Sequence, residues 1–103
     1  MSSPENTINS AQRVLRIWKA LRGHTLTGLS NQEIAAMTGD SPANVSRALA
    51  TLVAEDLVVK FENGRYAHGI ATLQIAQAHA DHCARLTARI TEVNQRIAAG
   101  AQL

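Results

Sequence analysis

The stretch MTGDSPANVSRALATLV, Met37 to Val53, stops one helix and starts another within a few residues. Gly39 is a helix terminator and Ser41 a cap. Pro42 sits in the first helical turn, where the N–H that proline lacks has no partner in any case. The helix that follows runs from Ser41 to about Ala54. Its pattern buries Val45, Leu49 and Leu52 and turns Ala43, Asn44, Ser46, Arg47 and Ala50 outward. A solvated helix face more often carries Glu and Lys, yet from Ser41 to Val53 there is neither. Such a face either meets solvent or lies against something flat and negatively charged.

Working upstream, SNQE at Ser30–Glu33 matches a capping box, in which Ser30 and Glu33 satisfy each other's orphan amides. It begins a short helix through Ile34, Ala35 and Met37 that Gly39 stops. With Gly39 as the turn glycine, a small residue, Ala35, falls four before it and a β-branched one, Val45, six after it. Ala35 lets two helices cross closely and Val45 anchors the second on the first. Further upstream, Ala11, Val14, Leu15, Trp18 and Leu21 form one stripe of a helix that starts from Ser10 and closes at Gly23. Arg13, Arg16, Lys19 and Arg22 lie off that stripe, the last three on a largely solvated face. HTLTGL is a loop or a short extended segment.

Downstream, LVVKFENGRYAHG changes period. Leu57, Val59 and Phe61 alternate with Val58 and Lys60, Asn63-Gly64 supplies two positive-φ residues for a tight turn, and Tyr66 returns in a second strand. From Ile70 to Ala99 the period is helical again, over roughly 43 Å at 1.5 Å per residue. Three helices followed by a hairpin is the order of a winged helix-turn-helix, so the predicted fold is mostly α with a small β-hairpin and a long C-terminal helix. The predicted organisation is a flexible N-terminus over 1–9, a winged helix-turn-helix domain over 10–69, a dimerisation helix over 70–99 and a tail over 100–103.

SAQRVLRIWKAL, LSNQEIAAMTGDSPANVSRALATLV and the hairpin ending at Tyr66 together resemble the DNA-binding half of IclR-type transcription regulators. The resemblance covers roughly residues 10 to 75. It rests on a Ser-capped first helix with Arg in its second turn (Ser10, Arg13), on L-S-x-x-E-I-A-x-x-T-G (Leu29 to Gly39), on Arg47 in the recognition helix and on a wing ending in Tyr66. It implies duplex DNA as partner. IclR regulators carry a ligand-binding domain after the linker helix; with the sequence ending at Leu103, no small-molecule effector is implied.

Composition agrees with this reading without demanding it. At 103 residues the chain can form one compact domain with a modest core and an appendage, and 46 % hydrophobic residues exclude a disordered chain. Only three residues are aromatic, Trp18, Phe61 and Tyr66, which leaves the core to aliphatic side chains. A net charge of +2 permits nucleic-acid binding, but any basic footprint must come from placement. One cysteine, Cys83, excludes an internal disulfide and points to a reducing compartment. No segment approaches the roughly 18 apolar residues of a membrane helix, and MSSPENTINS lacks a signal-peptide core. The expectation is a soluble, cytoplasmic protein of a bacterial cell or phage.

The DNA-binding residues expected are Ser41, Pro42, Ala43, Asn44, Ser46, Arg47 and Thr51 on the third helix and Lys60, Asn63 and Arg65 on the wing. Asn44 can pair with adenine and Arg47 with guanine O6 and N7, each good pair giving about 1–3 kcal/mol of base discrimination. Ser41, Ser46 and Thr51 suit phosphates, as does the helix N-terminus itself. Pro42 and Ala43 are small enough for the groove floor or a thymine methyl. Lys60, Asn63 and Arg65 can reach the backbone or the minor groove; alternatively, Lys60 and Arg65 only blunt an exposed hairpin edge. Arg47, taken alone, also reads as a solvated arginine, and Glu62 opposes deep insertion of the wing.

In the tail, Cys83, Leu86, Ile90, Val93 and Ile97 are spaced 3-4-3-4, a short heptad seam that Leu73, Ala76 and Ala80 extend upstream in a shifted phase. The seam either folds back on its own domain or pairs with a second copy, and the homodimer is the favoured reading. Arg85, Arg89, Glu92 and Arg96 would flank it. His79 and His82, with Asp81 nearby, lack the further ligands of a structural zinc site, so no metal and no cofactor is expected. His24 and His68 read as isolated loop or strand-end residues. There is no catalytic constellation, Glu55-Asp56 being surface charges, and the protein is not expected to be an enzyme. The function expected is a homodimeric, sequence-specific transcriptional regulator, a repressor by occlusion. The alternatives are an architectural or replication-linked phage or plasmid DNA-binding protein and a winged helix protein–protein adaptor.

Overall fold

The computed structural model describes residues 6–102. The elements run α1 (Asn9–Ala20), α2 (Asn31–Thr38), α3 (Pro42–Ala54), β1 (Val58–Lys60), β2 (Tyr66–His68) and α4 (Ile70–Ala101), the predicted fold class. Much of the stretch 1–9 and the last residue of the tail lie outside the described residues; helix already begins at Asn9, and α4 continues past Ala99 to Ala101. The chain divides into two compact units, Met1–Leu73 and Gln74–Leu103.

In the first unit one cluster of aliphatic side chains does the packing: Ile17, Leu21, Leu29, Ile34, Val45, Ala48, Leu49, Leu52 and Val58, with Val14, Trp18, Ala35, Leu57 and Tyr66 packed against it. Each fully buried Leu or Ile contributes about 1.5–3 kcal/mol relative to exposure. The core residues expected of α3 are all there. α1 differs from expectation. Ala11 and Leu15 are exposed and Ile17 is fully buried, so the inward ridge is Val14, Ile17, Trp18 and Leu21. Two apolar stripes overlap on this helix, and only contact with the rest of the core selects between them. Nor does Ser10 cap it: the N-cap is Ile8, with no side-chain hydrogen bond.

α3 ends where Leu57 N–H bonds Leu52 O and Asp56 N–H bonds Val53 O, with Asp56 at φ 58°. This is a Schellman ending with aspartate in the left-handed position that glycine usually fills. In β1 Val58 is buried while Val59 and Lys60 are exposed, and Leu57 and Phe61 on either side of the strand are half-buried, so burial does not follow the expected alternation. β1 and β2 pair antiparallel through Val58↔His68, Val59↔Ala67 and Lys60↔Tyr66. The turn is not the two-residue type expected of Asn63-Gly64. Gly64 alone has a positive φ, 84°, and Phe61 N–H bonds Arg65 O, enclosing a three-residue loop of a type I turn followed by a left-handed glycine. The extended possibility in HTLTGL is realised at Leu29, which exchanges two 2.8 Å backbone hydrogen bonds with Tyr66 on the outer side of β2.

His68 is not isolated. Its Nε2 lies 2.7 Å from the Trp18 carbonyl oxygen, which can only accept, so this nitrogen carries the proton; its ring centroid is 5.5 Å from that of Trp18. The indole N–H donates to Thr72 Oγ1 at 2.8 Å, and the Thr72 hydroxyl donates to Leu57 O at 2.7 Å. α1, the start of β1, the end of β2 and the first turn of α4 are thereby tied together within one unit.

In the second unit α4 is a continuous helix. Its seam residues are exposed in the single chain, Leu86 at 50 % and Ile90 at 61 %, and so is Cys83, whose sulfur lies 3.6 Å from His79 Nε2. No group of three or more His, Cys, Asp or Glu able to hold a metal ion occurs among the described residues. Among these residues no helix is long and apolar enough to cross a membrane.

Candidate nucleic-acid interface

The geometry of the α2–α3 corner follows from local chemistry. The Ser30 hydroxyl accepts from Glu33 N–H at 3.1 Å, and Glu33 Oε1 accepts from Ser30 N–H at 3.0 Å. These hydrogen bonds with Ser30, aided by Arg65, hold the Glu33 carboxyl below its ordinary pKa. Gly39 ends α2 at φ 79°, donating its N–H to Ala35 O, and Ser41 Oγ accepts from Asn44 N–H at 3.2 Å at the start of α3. Pro42 occupies the first turn as expected.

Between Gly39 and Ser41 sits Asp40, a residue for which no local pattern marks a role. Its carboxylate accepts from Arg16 Nη2 at 3.1 Å and Arg16 Nε at 3.3 Å, and Arg13 Nε lies 3.5 Å away. Arg16 hydrogen bonding lowers the Asp40 pKa, with smaller help from Thr38 and from the charges of Arg16 and Arg13, against the opposing effect of burial. Arg16 is therefore not simply part of a solvated face: α1 grips the turn electrostatically and fixes how α3 leaves it. The partners are 24 residues apart, a pairing no local pattern displays.

On α3, Ser41, Pro42, Ala43, Ser46, Arg47 and Thr51 are exposed and Asn44 is half-buried. The Arg47 guanidinium has no ion-pair partner among the described residues. Thr51 donates its hydroxyl to Arg47 O at 3.1 Å, so its proton is already used within the helix. Asn44, Arg47 and Thr51 share a shallow cleft of about 140 Å³ with Ser10 and Arg13 of α1. α1 thus borders the exposed α3 face with a second arginine.

The wing residues divide. Lys60 is exposed, its ammonium 5.7 Å from the Tyr66 ring centroid. Asn63 is exposed and its Oδ1 accepts from Arg65 N–H at 3.0 Å, shaping the turn. Arg65 points inward. Its Nε donates to Thr27 O at 3.1 Å, and its Nη2 reaches Gly28 O at 3.0 Å and Glu33 Oε1 at 2.9 Å. These contacts join the wing, the loop before α2 and the start of α2.

Residues 10–60 match the family model of the IclR helix-turn-helix domain. Among solved structures, an IclR family transcriptional regulator from Brucella abortus is similar at 26 % identity and a TM-score of 0.65, over 77 % of this chain and 30 % of that one. Pseudomonas aeruginosa HmgR is similar at 28 % identity and TM-score 0.63, over 72 % of this chain and 30 % of its own. An IclR transcriptional regulator from Alicyclobacillus acidocaldarius gives 28 % identity and TM-score 0.63, over 73 % and 30 %. This chain therefore spans under a third of the length of these structural relatives. No curated protein sequence matches it significantly.

Proposed function

Residues 10–60 belonging to the IclR helix-turn-helix domains of DNA-binding transcription regulators, we propose that this chain reads specific duplex DNA as a homodimer and represses transcription by occluding its site. The observation that carries the reading is the α3 face. It is exposed, made of small side chains, free of acidic residues, and bears one unpaired arginine on a corner fixed by Gly39, Ser41 and Asp40. Such a helix can approach the floor of a major groove without repelling the phosphates beside it.

In this reading Asn44 and Arg47 contact base edges, Ser41 and Ser46 lie toward phosphates, Pro42 and Ala43 touch the groove floor, and Thr51 reaches a phosphate only by giving up its hydrogen bond to Arg47 O. Lys60 and Asn63 meet the backbone or the minor groove, while Arg65 supports the wing from beneath. α4 supplies the second copy. Cys83, Leu86, Ile90, Val93 and Ile97, extended by Leu73, Ala76 and Ala80, form a row that is exposed in the single chain and has the 3-4 spacing of a helix pair. Pairing these rows brings two α3 helices to successive half-sites.

Selection from random duplexes tests the proposal. One palindromic motif preferred strongly over random DNA is the expected result. Binding set by salt alone, with no motif, would leave an architectural role, and no binding at low salt would leave a protein–protein adaptor.

A further inference from the structure

Asn31, the first residue of α2, lies 15 residues before Ser46, yet its side-chain nitrogen is 2.7 Å from Ser46 Oγ and 3.3 Å from the Pro42 carbonyl oxygen. Together the two contacts decide the direction of both hydrogen bonds. A carbonyl oxygen only accepts, so the atom facing Pro42 is the amide nitrogen of Asn31 and not its amide oxygen. That nitrogen carries two hydrogens, one for the Pro42 carbonyl and one for Ser46 Oγ, which is therefore the acceptor in this pair. Ser46 keeps its own hydroxyl hydrogen. A serine inside a helix ordinarily turns that hydrogen back to the carbonyl four residues earlier. For Ser46 that carbonyl is Pro42 O, which Asn31 already occupies. Ser46 is exposed on the α3 face, and its hydroxyl donates to no acceptor among the described residues.

We infer that Asn31 is a positioning residue that presets Ser46 as an outward hydrogen-bond donor, to be met by an acceptor atom of the duplex: a phosphate oxygen, or N7, O6 or O4 on a base edge. This rests on the DNA-binding reading and deepens it. In the L-S-x-x-E stretch Asn31 holds an open position, so the device is specific to this chain and not to the pattern that defines the turn. A hydroxyl already polarised by accepting from an amide donates more strongly. It also needs no rotamer search when DNA arrives.

A double-mutant cycle on the full chain tests it, with the duplex that the wild-type protein selects as the probe. Ser46→Ala is expected to weaken binding about tenfold, the effect of one hydrogen bond to a charged or well-placed acceptor. Asn31→Ala is expected to weaken it several-fold in the wild-type background and not at all once Ser46 is alanine. A residue that merely braced the corner would cost the same in both backgrounds, and that result overturns the inference. Asn31→Asp gives a second reading. Aspartate suits the first turn of a helix, so the fold is kept, but a carboxylate accepts only and draws the Ser46 hydrogen inward. Its loss, after subtracting its effect in the Ser46→Ala background, should match that of Ser46→Ala; no such loss also overturns the inference. Methylphosphonate substitution distinguishes the acceptors. If one neutralised phosphate removes the Ser46→Ala effect, the acceptor is that phosphate; if Ser46→Ala instead flattens one position of the selected motif, it is a base. If the wild type selects no duplex, the functional reading falls and this inference with it. If a duplex is selected and the cycle shows no coupling, the inference alone falls.

Discussion

The two units bury their apolar residues in opposite ways. Up to Leu73, the Leu, Ile and Val residues that define the helix-turn-helix close on one another, and Ile17, Leu21, Ile34, Val45 and Leu49 are fully inaccessible. From Gln74 onward the apolar residues are as regularly spaced, yet Ile90 and Ile97 remain more than 60 % exposed. A regular stripe therefore does not by itself say where its burial comes from. In the first unit the covering surface arrives within a few dozen residues of the same chain. For the second, a second copy of the chain is the proposed source.

Substitutions can break that contrast. The largest effect is expected from Ile90→Asp, which puts a charge in the middle of the α4 row. Sedimentation should show monomers, and the loss of two-site engagement should weaken binding to the selected duplex by roughly 10²–10⁴-fold. Thermal unfolding of the winged unit should be unchanged; an unchanged mass would mean that the row does not pair copies. Leu49→Ala should do the converse, lowering stability in urea by about 2–5 kcal/mol while the variant still dimerises. Arg47→Ala should relax base preference, at a cost of about 1–3 kcal/mol on the selected duplex and little on random DNA. Lys60→Ala should weaken all duplexes alike and flatten the salt dependence by about one counterion, whereas Arg65→Ala should weaken them without that change in slope. Equal salt slopes for the two variants would contradict the inward role of Arg65.

Acid tests the corner itself. Hydrogen bonding from Arg16 holds the Asp40 carboxyl below the ordinary aspartate value in the folded chain, so the unfolded chain takes up its proton first as pH falls. The stability Asp40 contributes is present above its unfolded pKa and is lost as pH falls through the lower folded value. Asp40→Asn should make stability less dependent on pH in that acid range, as followed by thermal melts. The smallest effect is expected from Asp56→Gly, which removes the strain of a left-handed non-glycine residue and should stabilise the first unit by about 0.5–1 kcal/mol.

The caps and the terminator of the α2–α3 corner were legible in the sequence because each of them is local. A serine three residues before its glutamate, a glycine at a helix end and a serine before a proline each act within one turn of chain. The pairings that escaped notice join residues far apart. Asp40 finds Arg16 across 24 residues, Asn31 finds Ser46 across 15, and Arg65 reaches Thr27 and Gly28 from the opposite side of the wing. The wing turn was misread because Asn63-Gly64 suits more than one hairpin loop, and only the pairing of Phe61 with Arg65 selects the three-residue loop in which Gly64 alone takes a positive φ. Among the site residues, the exposed face of α3 followed directly from its period. The inward turn of Arg65 did not, since a basic residue near a wing tip carries no mark of which way it points.

The junction that joins Trp18, His68, Thr72 and Leu57 O has a practical consequence. Trp18 is the only tryptophan in the chain, so intrinsic fluorescence comes from one site whose hydrogen-bond partner and neighbouring ring are known. Its emission is an unlabelled observer of the place where the first turn of α4 meets α1. A spectral change when duplex is added would show that occupation of the distant α3 face is felt at the root of the long helix. A silent Trp18 would show that the winged unit docks as a rigid body.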